Sequence, residues 1–187
     1  MQQEDPRHLL VNIARILKRL KIPYMVTGGM AVFVWGRPRF TADIDIVIEF
    51  KLEQIDILNK SLIAFSKEGY VDEYAMREAI LDCGEFNFID GQTGIKVDFW
   101  VLKKGSFDSI RLKRKIAKKI LGKTVYFTSP EDLILSKLEW YKLSESTRHL
   151  EDIESVLKIS GKKLDMRYLK QWAIKLGVKR VLDKLLK

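Results

Sequence analysis

Apolar positions recur along this chain in two rhythms, and the switches between them lay out its elements. Over residues 5–21, Leu9, Leu10, Ile13, Ile16, Leu17 and Leu20 fall at three- and four-residue steps, the stripe of an amphipathic helix. Asp5 suits its N-cap and Pro6 its first turn, and Pro23 ends it and launches a short strand over 24–26. Gly28 and Gly29 then turn the chain into an apolar segment, 30–35. At 43–48 the rhythm changes to period two, so Asp43 and Asp45 share one face of a strand and Ile44, Ile46 and Ile48 the other. Helical spacing returns over 53–69, with Ile55, Ile57, Leu58, Leu62, Ile63 and Phe65 as a broad face, and over 72–82. Residues 86–90 and 95–102 flank Gly91-Gln92-Thr93-Gly94 as a hairpin, in whose second arm Val97, Phe99 and Val101 oppose Asp98. Cys83 is expected to pack as a small apolar residue.

The second half reads as mainly helical. Residues 107–119 form a basic segment and 124–127 a short extended piece. Ser129, Pro130 and Asp132 mark a helix start at N-cap, N1 and N3. Ile134, Leu138 and Tyr141 then give an inward stripe, with Lys137 inside it. Such a lysine either meets an anion or snorkels its amine to water. Further helices are expected over 149–158 and 164–186, with a break near Gly177. Gly105-Ser106 is the best boundary, dividing an α/β domain at 1–104 from a mainly helical region at 105–187 packed on it. The fold class is α+β.

Composition narrows the function classes. The 187 residues are 47% apolar, with no run of transmembrane length and no secretory signal at the N-terminus, so a cytoplasmic protein is expected. A single cysteine forms no internal disulfide and no zinc constellation. Residues 1–102 hold 12 Lys and Arg against 15 Asp and Glu, a balance of −3, and residues 103–187 hold 22 against 10, a balance of +12. That basic half is either a solvated helical surface or a surface for an anion such as a nucleoside triphosphate or RNA.

Candidate chemistry gathers between Gly28 and Asp45. Two carboxylates on one strand face repel each other and lose solvation, and a divalent cation is the most economical compensation. A Gly-Gly helix start is either a simple tight turn or a phosphate cradle of free N–H groups at a positive dipole end. Arg37, Arg39 and Thr41 lie between it and the carboxylates. Asp98, inside an apolar run, is either more than a solvent-facing residue or an edge-strand aspartate facing water. Arg148 and Asp152 have the spacing of a surface ion pair. His8 and His149 have no ligand spacing.

The ordered combination, Gly28-Gly29 at a strand-to-helix turn followed by Asp43-x-Asp45, resembles the nucleotidyltransferase superfamily typified by DNA polymerase beta. The stretch SPEDLILSKLEWY with RHLEDIE resembles the helical region of the minimal and AbiEii toxin-type members. The resemblance implies a mixed sheet flanked by helices and a C-terminal helical region. It also implies transfer of an NMP from an NTP, with Mg²⁺ or Mn²⁺, to a hydroxyl on tRNA or other RNA, a small molecule or a protein. In that pattern Asp43, Asp45 and Asp98 hold metal, Gly28 and Gly29 meet phosphate, and Arg37, Arg39, Thr41 and Lys137 lend support. Asp152 positions Lys137 or the acceptor. A toxin role with an antitoxin partner also follows from the resemblance. A metal-dependent nuclease and a non-catalytic RNA- or partner-binding module are the alternatives.

Overall fold

The alternating stretch at 43–48 becomes an inner strand of the sheet. The computed structural model describes residues 5–103, 105 and 107–187. In chain order its strands are β1 Tyr24–Val26, β2 Asp43–Ile48, β3 Tyr70–Val71, β4 Glu85–Ile89, β5 Lys96–Val101, β6 Ile116–Ile120 and β7 Lys123–Phe127. They form one mixed sheet in the order β3-β4-β5-β2-β1-β7-β6. β2 runs parallel to β5 and antiparallel to β1, and β1 runs parallel to β7.

The chain divides into two compact units, one reaching up to Met30 and resuming at Thr41–Thr128, the other made of Ala31–Phe40 and Ser129–Lys187. The first unit holds the whole sheet. At the expected 104/105 division, Lys104 and Ser106 lie outside the described residues. β7 pairs with β1, so this segment belongs to the first unit's sheet. The basic segment 107–119, in the half read as mainly helical, runs into an edge strand, β6, where lysines discourage pairing with another chain.

Helix α1, Pro6–Arg19, starts as its sequence dictates: the Asp5 side chain accepts from the Arg7 N–H, and Pro6 sits where its missing donor costs nothing. It buries Leu10, Ile13 and Leu17. On the sheet, Ile44, Ile46, Ile48, Phe88 and Phe99 are fully buried. The other helices of this unit are α3, Ile55–Phe65, α4, Glu73–Asp82, and α5, Phe107–Lys113, while α2, Gly28–Trp35, carries the boundary between the units. Two expectations need correction. Ile57 is exposed rather than part of the apolar face, because α3 buries only the narrower stripe of Ile55, Leu58 and Leu62. Cys83 is exposed, because it takes the left-handed position, φ 52°, that ends α4 and turns the chain into β4.

The second unit is helical: α6 Pro130–Ser144, α7 Thr147–Ser160, α8 Met166–Lys175 and α9 Lys179–Leu185. Ser129 caps α6 by accepting from the Asp132 N–H, as its sequence implies. Ile134, Leu138, Ile153, Val156, Leu169 and Ala173 are buried. The end of α2 and the segment after it are tied to α7: Arg37 N–H donates to Ser155 Oγ at 2.6 Å, and Ser160 Oγ donates to the Trp35 carbonyl at 2.6 Å. No helix among the described residues is long and apolar enough to cross a membrane.

Candidate active site

The sheet register brings the carboxylates of the first unit together. Asp45 on β2 is the direct neighbour of Asp98 on β5, and Asp43 is the neighbour of Lys96. Side chains of a strand alternate faces, so Asp43, Asp45, Lys96 and Asp98 stand on one face, opposite the buried isoleucines. Asp98 is no edge decoration, because its strand lies between β2 and β4 and its side chain is buried. Further along the same face, Met25, Val47, Trp100 and Leu112 close into an apolar cluster that bounds the polar patch.

Each acid is held by a neighbour. Thr41 Oγ1 donates to Asp43 Oδ1 at 2.9 Å, which assigns Thr41 an orienting contact within this unit. Lys96 Nζ lies 2.9 Å from Asp98 Oδ2. The Asp45 carboxylate lies directly against Gly28: a Cβ built on Gly28 would fall 1.8 Å from Asp45 Oδ2. Gly28 also takes φ 57°, the left-handed region that glycine enters freely. A Cβ on Gly29 would fall 2.4 Å from Thr41 Oγ1. Both glycines thus allow the α2 start to approach the acidic strand closely. For Gly28→Ala the strained backbone alone costs about 1–2 kcal/mol, and the clash displaces Asp45. We expect reduced stability in urea melts, together with loss of whatever the Asp45 carboxylate does.

Two charged groups on this face were not singled out from sequence. Lys96 precedes Asp98 by two residues, and its pKa is raised, first by its bond to Asp98 and then by the nearby Asp98, Asp43 and Glu85 charges. Glu85 on β4 is raised by burial and then by Asp98, with Asp45 adding to it. The available signal was the period-two pattern of β4 and β5, which puts Glu85 and Asn87 in phase with Lys96 and Asp98.

Among the described residues, no three His, Cys, Asp or Glu side chains are gathered into a group that could hold a metal ion as they stand. Asp98 is engaged with Lys96 and Asp43 with Thr41. The donor set nonetheless fits a hard divalent cation, since carboxylate oxygens from adjacent, in-register strands are the ligands that Mg²⁺ and Mn²⁺ take.

Within the second unit, Arg39, Lys137 and Asp152 form a cluster. Arg39 Nε and Nη2 donate to the two oxygens of Asp152 at 2.7 and 2.9 Å, a bidentate pair, and Lys137 Nζ lies 2.9 Å from Asp152 Oδ2. The conflict posed by Lys137 in an apolar stripe is therefore resolved by a carboxylate. Asp152 is buried, not half of a surface pair with Arg148, which is exposed. Burial pushes the Asp152 carboxyl up, but the Arg39 and Lys137 bonds outweigh it and hold it below the usual range. Arg37 is exposed and engages this unit through its backbone N–H.

His149 joins this cluster, although its isolation in sequence gave no reason to assign it chemistry. Burial lowers its pKa, and Lys137 lowers it further. Its Nδ1 is buried with no hydrogen-bond partner among the described residues. The folded state therefore disfavours the imidazolium. His149 contributes stability above its unfolded pKa, near 6.5, and that contribution is lost as pH falls from there through the lower folded value. Thermal melts between pH 7.5 and 5 should show a steeper fall for the wild type than for His149→Gln.

Among solved structures, this architecture is similar to ANT(2'')-Ia in complex with adenylyl-2''-tobramycin: TM-score 0.60, 18% identity, over 91% of this chain and 95% of that one. An antigenic nucleotidyltransferase-like protein from Paracoccidioides brasiliensis gives 0.59 at 20% identity over 96% and 91%. The lincomycin-bound lincosamide antibiotic adenylyltransferase LnuA gives 0.56 at 13% identity over 83% and 98%. The fold is that of the nucleotidyltransferases. No family model matches the sequence, and no curated protein does.

Proposed function

We propose that this chain is a divalent-metal-dependent nucleotidyltransferase that moves an NMP from an NTP to an acceptor hydroxyl. One observation carries the reading: a Gly-Gly helix start packs directly on Asp45, whose register neighbour is the buried Asp98. A phosphate cradle beside a row of acids suits a metal–triphosphate better than either feature suits a ligand alone.

In the transfer, the acceptor oxygen bonds to the α-phosphorus and the bond to the α–β bridging oxygen breaks. Pyrophosphate leaves with that electron pair, and the hydroxyl proton passes to a carboxylate, which we assign as Asp98. Asp43, Asp45 and Asp98 are the residues that would hold Mg²⁺ or Mn²⁺, whose charge when bound neutralises the triphosphate and the departing pyrophosphate. Gly28 and Gly29 offer backbone N–H groups to phosphate oxygens, and Thr41 keeps Asp43 oriented. Within the second unit, Arg39 and Lys137 on one carboxylate leave net positive charge, which favours an anionic substrate group, with Asp152 positioning both cations.

The acceptor is a hydroxyl of a small molecule, of tRNA or other RNA, or of a protein. The test is incubation with each labelled NTP, Mn²⁺ or Mg²⁺, and each acceptor class, with release of labelled pyrophosphate as the common readout. Label on one class names the acceptor. RNA cleavage without NTP would replace the proposal with a nuclease, and metal-independent RNA binding without transfer would replace it with a binding module. A toxin role held in check by an antitoxin would appear as growth arrest on expression.

A further inference from the structure

The acidic face carries a cation of its own. Lys96 is the register neighbour of Asp43 and is bonded at 2.9 Å to Asp98, so it stands between two of the three carboxylates assigned to metal. The pair is not an ordinary surface bridge, since the Asp98 end is 9% exposed and the Lys96 end 46%. One partner is fixed in the sheet and the other is a flexible stem reaching in from solvent, the arrangement of a counter-ion that can leave.

We infer that Lys96 is an internal counter-ion that a divalent cation must displace from Asp98, and that it thereby sets the metal affinity of the site. The inference rests on the proposed metal-binding role of Asp43, Asp45 and Asp98. Without metal, Lys96 offsets the repulsion among those acids and Glu85. It also explains why three acids in the right register are not already gathered around a cation position: Asp98 is turned to the ammonium. On metal binding, Asp98 exchanges a lysine for the ion, and the affinity observed is the intrinsic affinity less the cost of that exchange. Lys96 is thus a positioning residue.

The test uses Mn²⁺ alone, without nucleotide, titrated onto the full chain and followed by the loss of the free-Mn²⁺ paramagnetic resonance signal. Lys96→Met keeps the stem and removes the charge. Its Mn²⁺ affinity should rise roughly three- to tenfold, from the lost competing ion pair and the relieved cation–cation repulsion. Its metal-free melting temperature should fall, and the rise on adding Mn²⁺ should exceed that of the wild type. Lys96→Arg should return the affinity to near the wild-type value. Unchanged or weaker Mn²⁺ binding in Lys96→Met, with a wild type that binds and an Asp45→Asn variant that does not, overturns the inference alone. A wild type that binds no Mn²⁺, or binding indifferent to Asp45→Asn, overturns the metal site and the inference with it.

Discussion

Asp45→Asn should abolish nucleotidyl transfer while leaving the melting temperature unchanged or slightly higher. The substitution keeps the size of the side chain beside Gly28, where a Cβ-sized space is already filled by Oδ2. It removes one negative charge from a face that also holds Asp43, Asp98 and Glu85, which relieves repulsion among them. Transfer loses the anion nearest the cradle, and a charge-organising group of this kind is worth about a hundred- to a thousandfold in turnover. Labelled pyrophosphate release paired with calorimetry measures both sides. Turnover within tenfold of wild type would remove Asp45 from the mechanism, and a large drop in melting temperature would make its role structural.

Asp152→Ala should produce the largest loss of stability of any single change considered. The carboxylate is 3% exposed and is shared by Arg39 and Lys137, so its removal takes one anion from two cations at once. Breaking a buried pair by deleting one partner costs about 3–5 kcal/mol. The low end applies because the Arg39 side chain is 26% exposed and can recover some hydration. Urea melts read the difference. Lys137→Met combined with Asp152→Leu should recover part of it, because an apolar pair leaves no orphaned charge in place of Lys137. The effect is pH-dependent with a definite sign. The Asp152 pKa is lowered in the fold, so its contribution is full above the unfolded carboxylate value near 3.8 and disappears as pH drops through the folded one. Wild type and variant should therefore converge in stability in strong acid.

The local elements were largely legible because local chemistry decides them. Asp5-Pro6 and Ser129-Pro130 announce helix starts, and the 43–48 alternation gives β2 with the faces its residues require. The strand-to-helix turn at Gly28 was legible for the same reason, although its closeness to Asp45 was not. What escaped depends on partners far away in the chain. Arg39 and Asp152 are 113 positions apart, and nothing near either of them names the other. β6 reads as a charged surface segment because an edge strand with lysines lacks the apolar density by which strands are recognised. Lys96 was passed over because a lysine at the end of a hairpin arm is usually solvated, and only the β2–β5 register sets it beside Asp43.

That register also bears on how the protein folds. β2 and β5 lie side by side and parallel, yet two helices and two strands intervene between them in the chain. Their ladder can close only after a long loop has been ordered, the slow kind of step in a folding reaction. Closing it also draws Asp45 and Asp98, two like charges, into neighbouring positions. Lys96 belongs to the same strand as Asp98 and arrives with it, so the barrier to this zipping is met by a shield already in place before any ion from solution could bind.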